Sequence, residues 1–136
     1  MKAGKDDVRD LKPDYSLIPK SFMDQVSYCM MAGAIKYGRD NYRKGHSFTQ
    51  LTAAACRHLK CIESGVDIDE DTTNRIGVSI QHWANVACCA LMAIEQIRMG
   101  TIRDDRYKGE LDGKRQETNT GLFPVPGEPP AAKRMS

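Results

Sequence analysis

No stretch of this 136-residue chain is apolar for long enough to cross a bilayer. The longest nearly apolar run, Trp83 to Ile94, is too short and contains Asn85. Charge of one sign is also lacking: 20 Lys+Arg against 18 Asp+Glu leave a net +2, without the clustered basic excess of a protein that coats a polyanion. Neither a nucleic-acid polymer nor a membrane is therefore an expected partner. There is no Walker A sequence and no G-x-G-x-x-G, which excludes a Gly-rich phosphate loop. Met1 to Asp10 is charged from its start and has no apolar h-region, so no secretory signal is visible and the cytoplasm is the expected compartment. No segment alternates as a strand would, and no internal repeat is apparent. The five cysteines, Cys29, Cys56, Cys61, Cys88 and Cys89, have neither zinc-ribbon nor C-x-x-C spacing. They read as small apolar core residues in a reducing compartment.

What is present fits one soluble domain, with 40% hydrophobic and 28% charged residues. The pattern is an all-α core, residues 20–106, between two polar arms: residues 1–19, with Pro13 and Pro19, and residues 107–136, with Pro124, Pro126, Pro129 and Pro130. A first helix is expected from Ser21, a capping serine with Asp24 three residues on. Phe22, Val26, Cys29, Met30 and Gly33 form its buried stripe. Gly38 to His46 is a charged loop. Ser47-Phe48-Thr49-Gln50 then fits a capping box opening a second helix, with Leu51, Ala55, His58, Leu59 and Ile62 inside and Gly65 as its stop. Val66 to Gly77 reads as an acidic loop. The third helix runs from about Val78 to Arg98 and is apolar on nearly every side. Two neighbours cannot cover such a helix, so helices from a second subunit are expected to complete the bundle, as a homodimer or homotetramer.

Polar residues in apolar places carry the functional signal. His58 lies on an inner stripe, as a core histidine bonded to a carbonyl or as a metal ligand or phosphate donor. Arg57 beside it points about 100° away. His82 and Asn85 share a face of the apolar helix, continued by Cys89 and Gln96, and mark a site or a polar seam between subunits. Asp67, Asp69 and Asp71 alternate in the acidic loop, one turn beyond Glu63; they are a solvated surface or oxygen ligands for Mg²⁺ or Mn²⁺. Lys36, Arg39, Arg43 and Lys44, with Tyr37 and Tyr42, make the first loop a solvated surface or a phosphate and base binder.

In order along the chain stand K-P-x-Y-x-L-I-P (Lys12 to Pro19), G-A-x-K-Y-G-x-x-N-Y-x-x-G (Gly33 to Gly45), A-x-x-R-H-L (Ala54 to Leu59), G-x-D-I-D-x-D-T (Gly65 to Thr72), His82 and D-D-R (Asp104 to Arg106). This set resembles the phage dATP/dGTP diphosphohydrolase N-terminal family, itself similar to the MazG-like all-α nucleotide pyrophosphohydrolases. The resemblance implies a metal-dependent enzyme, in an infected bacterial host, that converts a purine deoxynucleoside triphosphate to its monophosphate and pyrophosphate. For enzymes of phages with 2-aminoadenine genomes, dGTP would be the main substrate, with dATP a second. Lys36, Tyr37, Asn41, Arg57, His58, Asp69 and His82 stand where the family has recurring residues. Asp71 replaces a frequent glutamate, Tyr42 a tryptophan and Cys89 an asparagine. The acidic E-x-x-E and E-x-x-D pairs of the wider MazG pattern are missing.

From this follow the expected roles. His58, Asp69 and His82 are catalytic; Glu63, Asp67, Asp69, Asp71 and His82 are the metal set for Mg²⁺ or Mn²⁺. Lys36, Tyr37, Arg39, Asn41, Arg57, Asn85 and Arg106 bind substrate, with Trp83 available to the base. No organic cofactor is implied. Two other readings remain at this point: a non-catalytic helical module that binds a nucleotide or a protein, and a His/Asp phosphohydrolase that releases triphosphate.

Overall fold

The structure, a computed structural model, describes residues 11–109. The expected tail therefore lies outside the described residues except for its first three, and the expected N-terminal arm is described from Leu11 onward. Four α-helices follow one another: α1 (Lys20–Tyr37), α2 (Phe48–Glu63), α3 (Glu70–Ile76) and α4 (His82–Met99). Short 3₁₀ turns occupy Tyr15–Leu17 and Asn41–Lys44. The all-α expectation holds among the described residues, where β pairing is limited to two isolated bridges.

α1 begins at Lys20 rather than at a Ser21 cap. Pro19 takes the N-cap position with φ −68° and no side-chain bond, its ring already set to the angle that precedes a helix. Asp24 pairs with Lys20 at 2.6 Å and so does not complete a capping box with Ser21. α2 starts as its sequence requires: Ser47 accepts from the Gln50 N–H, and the Gln50 side chain accepts from the Ser47 N–H at 2.9 Å.

The acidic segment is not simply a loop. Asp69 caps a seven-residue helix, α3, whose first turn carries Glu70 and Asp71. Acids there face the positive end of the helix dipole, so the charge run is a helix-start signal as much as a solvated surface. α4 starts at His82, four residues later than expected. Gly77, at φ 83°, ends α3, and Val78 to Gln81 form a non-helical link that is extended at Gln81. The Ile80 N–H donates to the Thr73 hydroxyl at 2.9 Å, and Gln81 N–H donates to the Gln25 side chain of α1 at 2.9 Å. Ile80, fully buried, anchors this stretch in the core with Val26, Cys29, Ala84 and Cys88. Its burial contributes about 1.5–3 kcal/mol.

α4 packs against both α1 and α2 and is the central helix. Cys29, Cys88 and Cys89 are buried as expected, whereas Cys56 is exposed. Gln96 is fully buried and satisfied. Its Oε1 accepts from the His46 N–H at 2.7 Å, and its Nε2 donates to the Tyr42 carbonyl at 2.9 Å and meets His46 Nδ1 at 2.8 Å. The 41–46 turn is thereby pinned to α4. Residues 103–106 close over the start of α2: Phe48 N–H donates to the Arg103 carbonyl at 2.8 Å, and the Asp105 carboxylate accepts from the Thr49 N–H and hydroxyl.

Gly45 makes this closure possible. Its φ of 102° and ψ of 147° lie where only glycine is comfortable, and a Cβ there would come within 2.0 Å of the Thr101 carbonyl oxygen. Gly45→Ala is expected to lower stability by about 2 kcal/mol or more in urea unfolding. Gly33→Ala, in mid-helix with nothing within 4 Å of the added carbon, is expected to be neutral or stabilising. Equal effects of the two substitutions would contradict the close-approach argument.

Candidate metal centre and adjoining cleft

Two backbone bonds build the centre. Asp69 N–H donates to the Ile80 carbonyl and His82 N–H donates to the Asp67 carbonyl, each at 2.8 Å, across the antiparallel bridge of Ile68 and Gln81. They hold the cap of α3 beside the first residue of α4. α2 brings His58 to the same point, with His58 Nδ1 2.9 Å from His82 Nδ1. Ligand atoms of His58, Asp69 and His82 all lie within 4.8 Å of one another, and no other such group occurs among the described residues.

Asp69 is held firmly. Its Oδ1 accepts from the N–H groups of Asp71 and Thr72, at 3.1 and 3.4 Å. Its Oδ2 accepts from the Thr72 hydroxyl at 2.7 Å and the Asn85 amide at 2.8 Å. Asn85 is itself oriented by the Cys29 thiol, which donates to its Oδ1 at 3.1 Å. Burial pushes the Asp69 pKa up, but the Thr72 bonds, with His82 and His58 nearby, outweigh it and hold the carboxyl below its usual range. His58 moves below the usual histidine value: burial lowers it, as do His82 and Arg57, against the opposing pull of Asp69. The centre thus favours an ionised acid and a neutral imidazole, the forms that a metal requires.

A divalent ion fits this donor set. Two nitrogens at right angles, each about 2.1 Å from one ion, lie about 3 Å apart, which is the spacing of the histidine pair. One carboxylate and two imidazoles suit Mn²⁺ or a later transition metal better than Mg²⁺, which prefers oxygen alone.

The other expected ligands lie apart from this group. The Glu63 carboxylate is exposed and pairs with Lys60 at 3.1 Å; that of Asp71 pairs with Arg75 at 3.2 Å. The Asp67 side chain is exposed, and its carbonyl serves the backbone clasp. Among the expected substrate residues, Tyr37 and Arg57 line one cleft of about 680 Å³, together with His46, Thr49, Gln50 and Met92. Lys36 lies over the Tyr37 ring, 4.9 Å from its centroid. Arg39 is exposed and Asn41 sits in the 3₁₀ turn. Asn85 touches Asp69, as an orienting group. Arg106 is engaged at the start of α2, paired with Asp104 at 2.7 Å and stacked on Phe48. Trp83 lies with Phe22 in a different groove. The sequence reading missed His46, Thr72 and Cys29. The D-x-x-T spacing of a helix cap would have indicated Thr72; nothing local marks the other two.

A sequence profile of the dATP/dGTP diphosphohydrolase N-terminal family matches residues 2–106. Comparison with curated proteins and with solved structures returned no match. The chain belongs to that family and is an enzyme of the nucleoside triphosphate pyrophosphohydrolase class.

The lowered His58 value fixes the sign of a stability effect. The unfolded chain takes up the proton first as pH falls below about 6.5, so the folded state loses stability between that pH and the lowered folded value. Asp69 adds a further loss in stronger acid, between the ordinary value of 3.8 and its own lowered value. Urea unfolding in chelator is expected to show stability falling from pH 7.5 to 5.5, with a shallower fall in His58→Gln. The same fall in both proteins would contradict the assignment.

Proposed function

We propose that this family member hydrolyses dGTP, and dATP as a second substrate, to the monophosphate and pyrophosphate. In this reading His58, Asp69 and His82 hold a divalent ion, Mn²⁺ in preference to Mg²⁺. The supporting observation is one buried carboxylate and two histidines within 4.8 Å, with Arg57, the chain neighbour of His58, lining a cleft together with Tyr37. When bound, such an ion supplies charge neutralisation at phosphate oxygens and acidifies water. Asp69 stays ionised through Thr72 and oriented through Asn85. Arg57 offers a guanidinium to the β- and γ-phosphates, whose negative charge grows as the bond from the α-phosphorus to the bridging oxygen breaks. Lys36, beside Tyr37, adds a second cation at the cleft. Within the family we propose kinship with MazZ, the enzyme of phages that replace adenine with 2-aminoadenine. The product dGMP would then feed that pathway.

A second copy of the chain belongs to the same proposal. α1 and α4 leave Phe22, Met31, Ile35, Trp83 and Ile94 between 46% and 68% exposed. A groove of about 370 Å³ between these helices is lined by Phe22, Val26, Trp83 and Ala87. Each large side chain buried there would contribute about 1.5–3 kcal/mol. Light scattering is expected to give a mass at least twice 15.2 kDa, and a monomeric mass would contradict this part.

Incubation with each deoxynucleoside triphosphate and Mn²⁺ or Mg²⁺, with phosphate products separated, tests the reaction. Pyrophosphate from dGTP is expected; triphosphate would replace the cleavage mode. Asp69→Asn should abolish turnover with helix content retained, because asparagine caps α3 as well as aspartate does. Asn85→Ala should reduce turnover by about 10–100-fold, as loss of a ligand-orienting group does. Unchanged turnover in either variant would contradict the site.

A further inference from the structure

We infer that His46 is a specificity-determining residue that donates a hydrogen bond from Nε2 to N7 of the purine ring. Gln96 fixes the tautomer of that ring. Its Oε1 accepts from the His46 backbone N–H, and its Nε2 donates to the Tyr42 carbonyl. An inverted amide would set oxygen against oxygen and N–H against N–H, so its orientation is fixed. The second hydrogen of Gln96 Nε2 is then the one that meets His46 Nδ1 at 2.8 Å. Nδ1 must be the acceptor, and the neutral ring carries its proton on Nε2. Nε2 has no partner among the described residues. Nε2 lies across the ring from the atom bound to Gln96, so it is the N–H donor that His46, a lining residue of the cleft, has left to offer there.

The position of that donor suggests what it meets. This step rests on the proposed placement of the nucleotide. Arg57 adjoins His58 and the metal centre, where the phosphates must lie. His46 sits before the N-cap of α2, whose rise from Ser47 to Arg57 is about 15 Å. The base therefore falls at the His46 end, with the Tyr37 ring in the same cleft as an aromatic face. Adenine and guanine differ at position 6, amino against keto, but both present N7 as an acceptor. Pyrimidines have no such atom. One neutral N–H donor thus accepts both purines and gives neither a preference.

The test compares dGTP with 7-deaza-dGTP, in which carbon replaces N7. Both kcat/KM with Mn²⁺ and affinity by calorimetry are measured, for the wild type, His46→Ala and His46→Phe. The wild type should favour dGTP by about tenfold, the effect of one lost hydrogen bond. Either variant should treat the two nucleotides alike. Equal handling by the wild type, or discrimination retained in a folded variant, would overturn the inference. Equal handling by the wild type overturns it even if neither variant folds. Discrimination in affinity without turnover would keep this inference and overturn the catalytic reading; turnover without discrimination would do the reverse.

Discussion

Two backbone hydrogen bonds, Asp69 N–H to the Ile80 carbonyl and His82 N–H to the Asp67 carbonyl, are the constraint on which the centre depends. A short pairing of this kind is weak alone. Here it sits between a buried isoleucine and a polar brace from α1: Gln25 donates to the Ser79 carbonyl and accepts from Gln81. The bridge aligns two helix starts, so that a capping carboxylate and a histidine come side by side. α2 then needs to supply only one residue, His58. Rigid elements position all three side chains, which is what a metal or phosphate site demands.

One face of α4 carries both the centre and the wall of the cleft. His82 and Asn85 serve the first turns; Gln96, three turns on, holds the loop of Tyr42 and His46. Unpaired, such groups would destabilise the core, since a buried amide without partners costs about 1–3 kcal/mol. Each finds partners, and the polar line becomes a fixed frame. Cys29 belongs to that frame as well, through its bond to Asn85.

The sequence made the helical class, the Ser47 capping box and the central position of α4 legible, because each follows from local spacing. It also marked His58 and His82 as polar residues on apolar faces, and Asp69 as one of three alternating acids that a metal could use. Other features depended on distant contacts. α3 was hidden because acids at a helix start look like a solvated run. The start of α4 moved because Thr73 and Asp69 claim the backbone of Ile80. Arg106 was expected to bind substrate, yet Asp105 and Arg106 close the start of α2. His46 gains significance only from Gln96, fifty residues away.

The central claim is that α2, the cap of α3 and the start of α4 form one ion-binding centre with two nitrogen donors. Mn²⁺ binding followed by pulsed electron paramagnetic resonance tests it most directly. One tightly held ion per chain is expected, with couplings to two histidine nitrogens, one coupling lost in His58→Ala and the other in His82→Ala. Mn²⁺ held as tightly by the doubly substituted protein, or a spectrum without nitrogen coupling in the wild type, would contradict it.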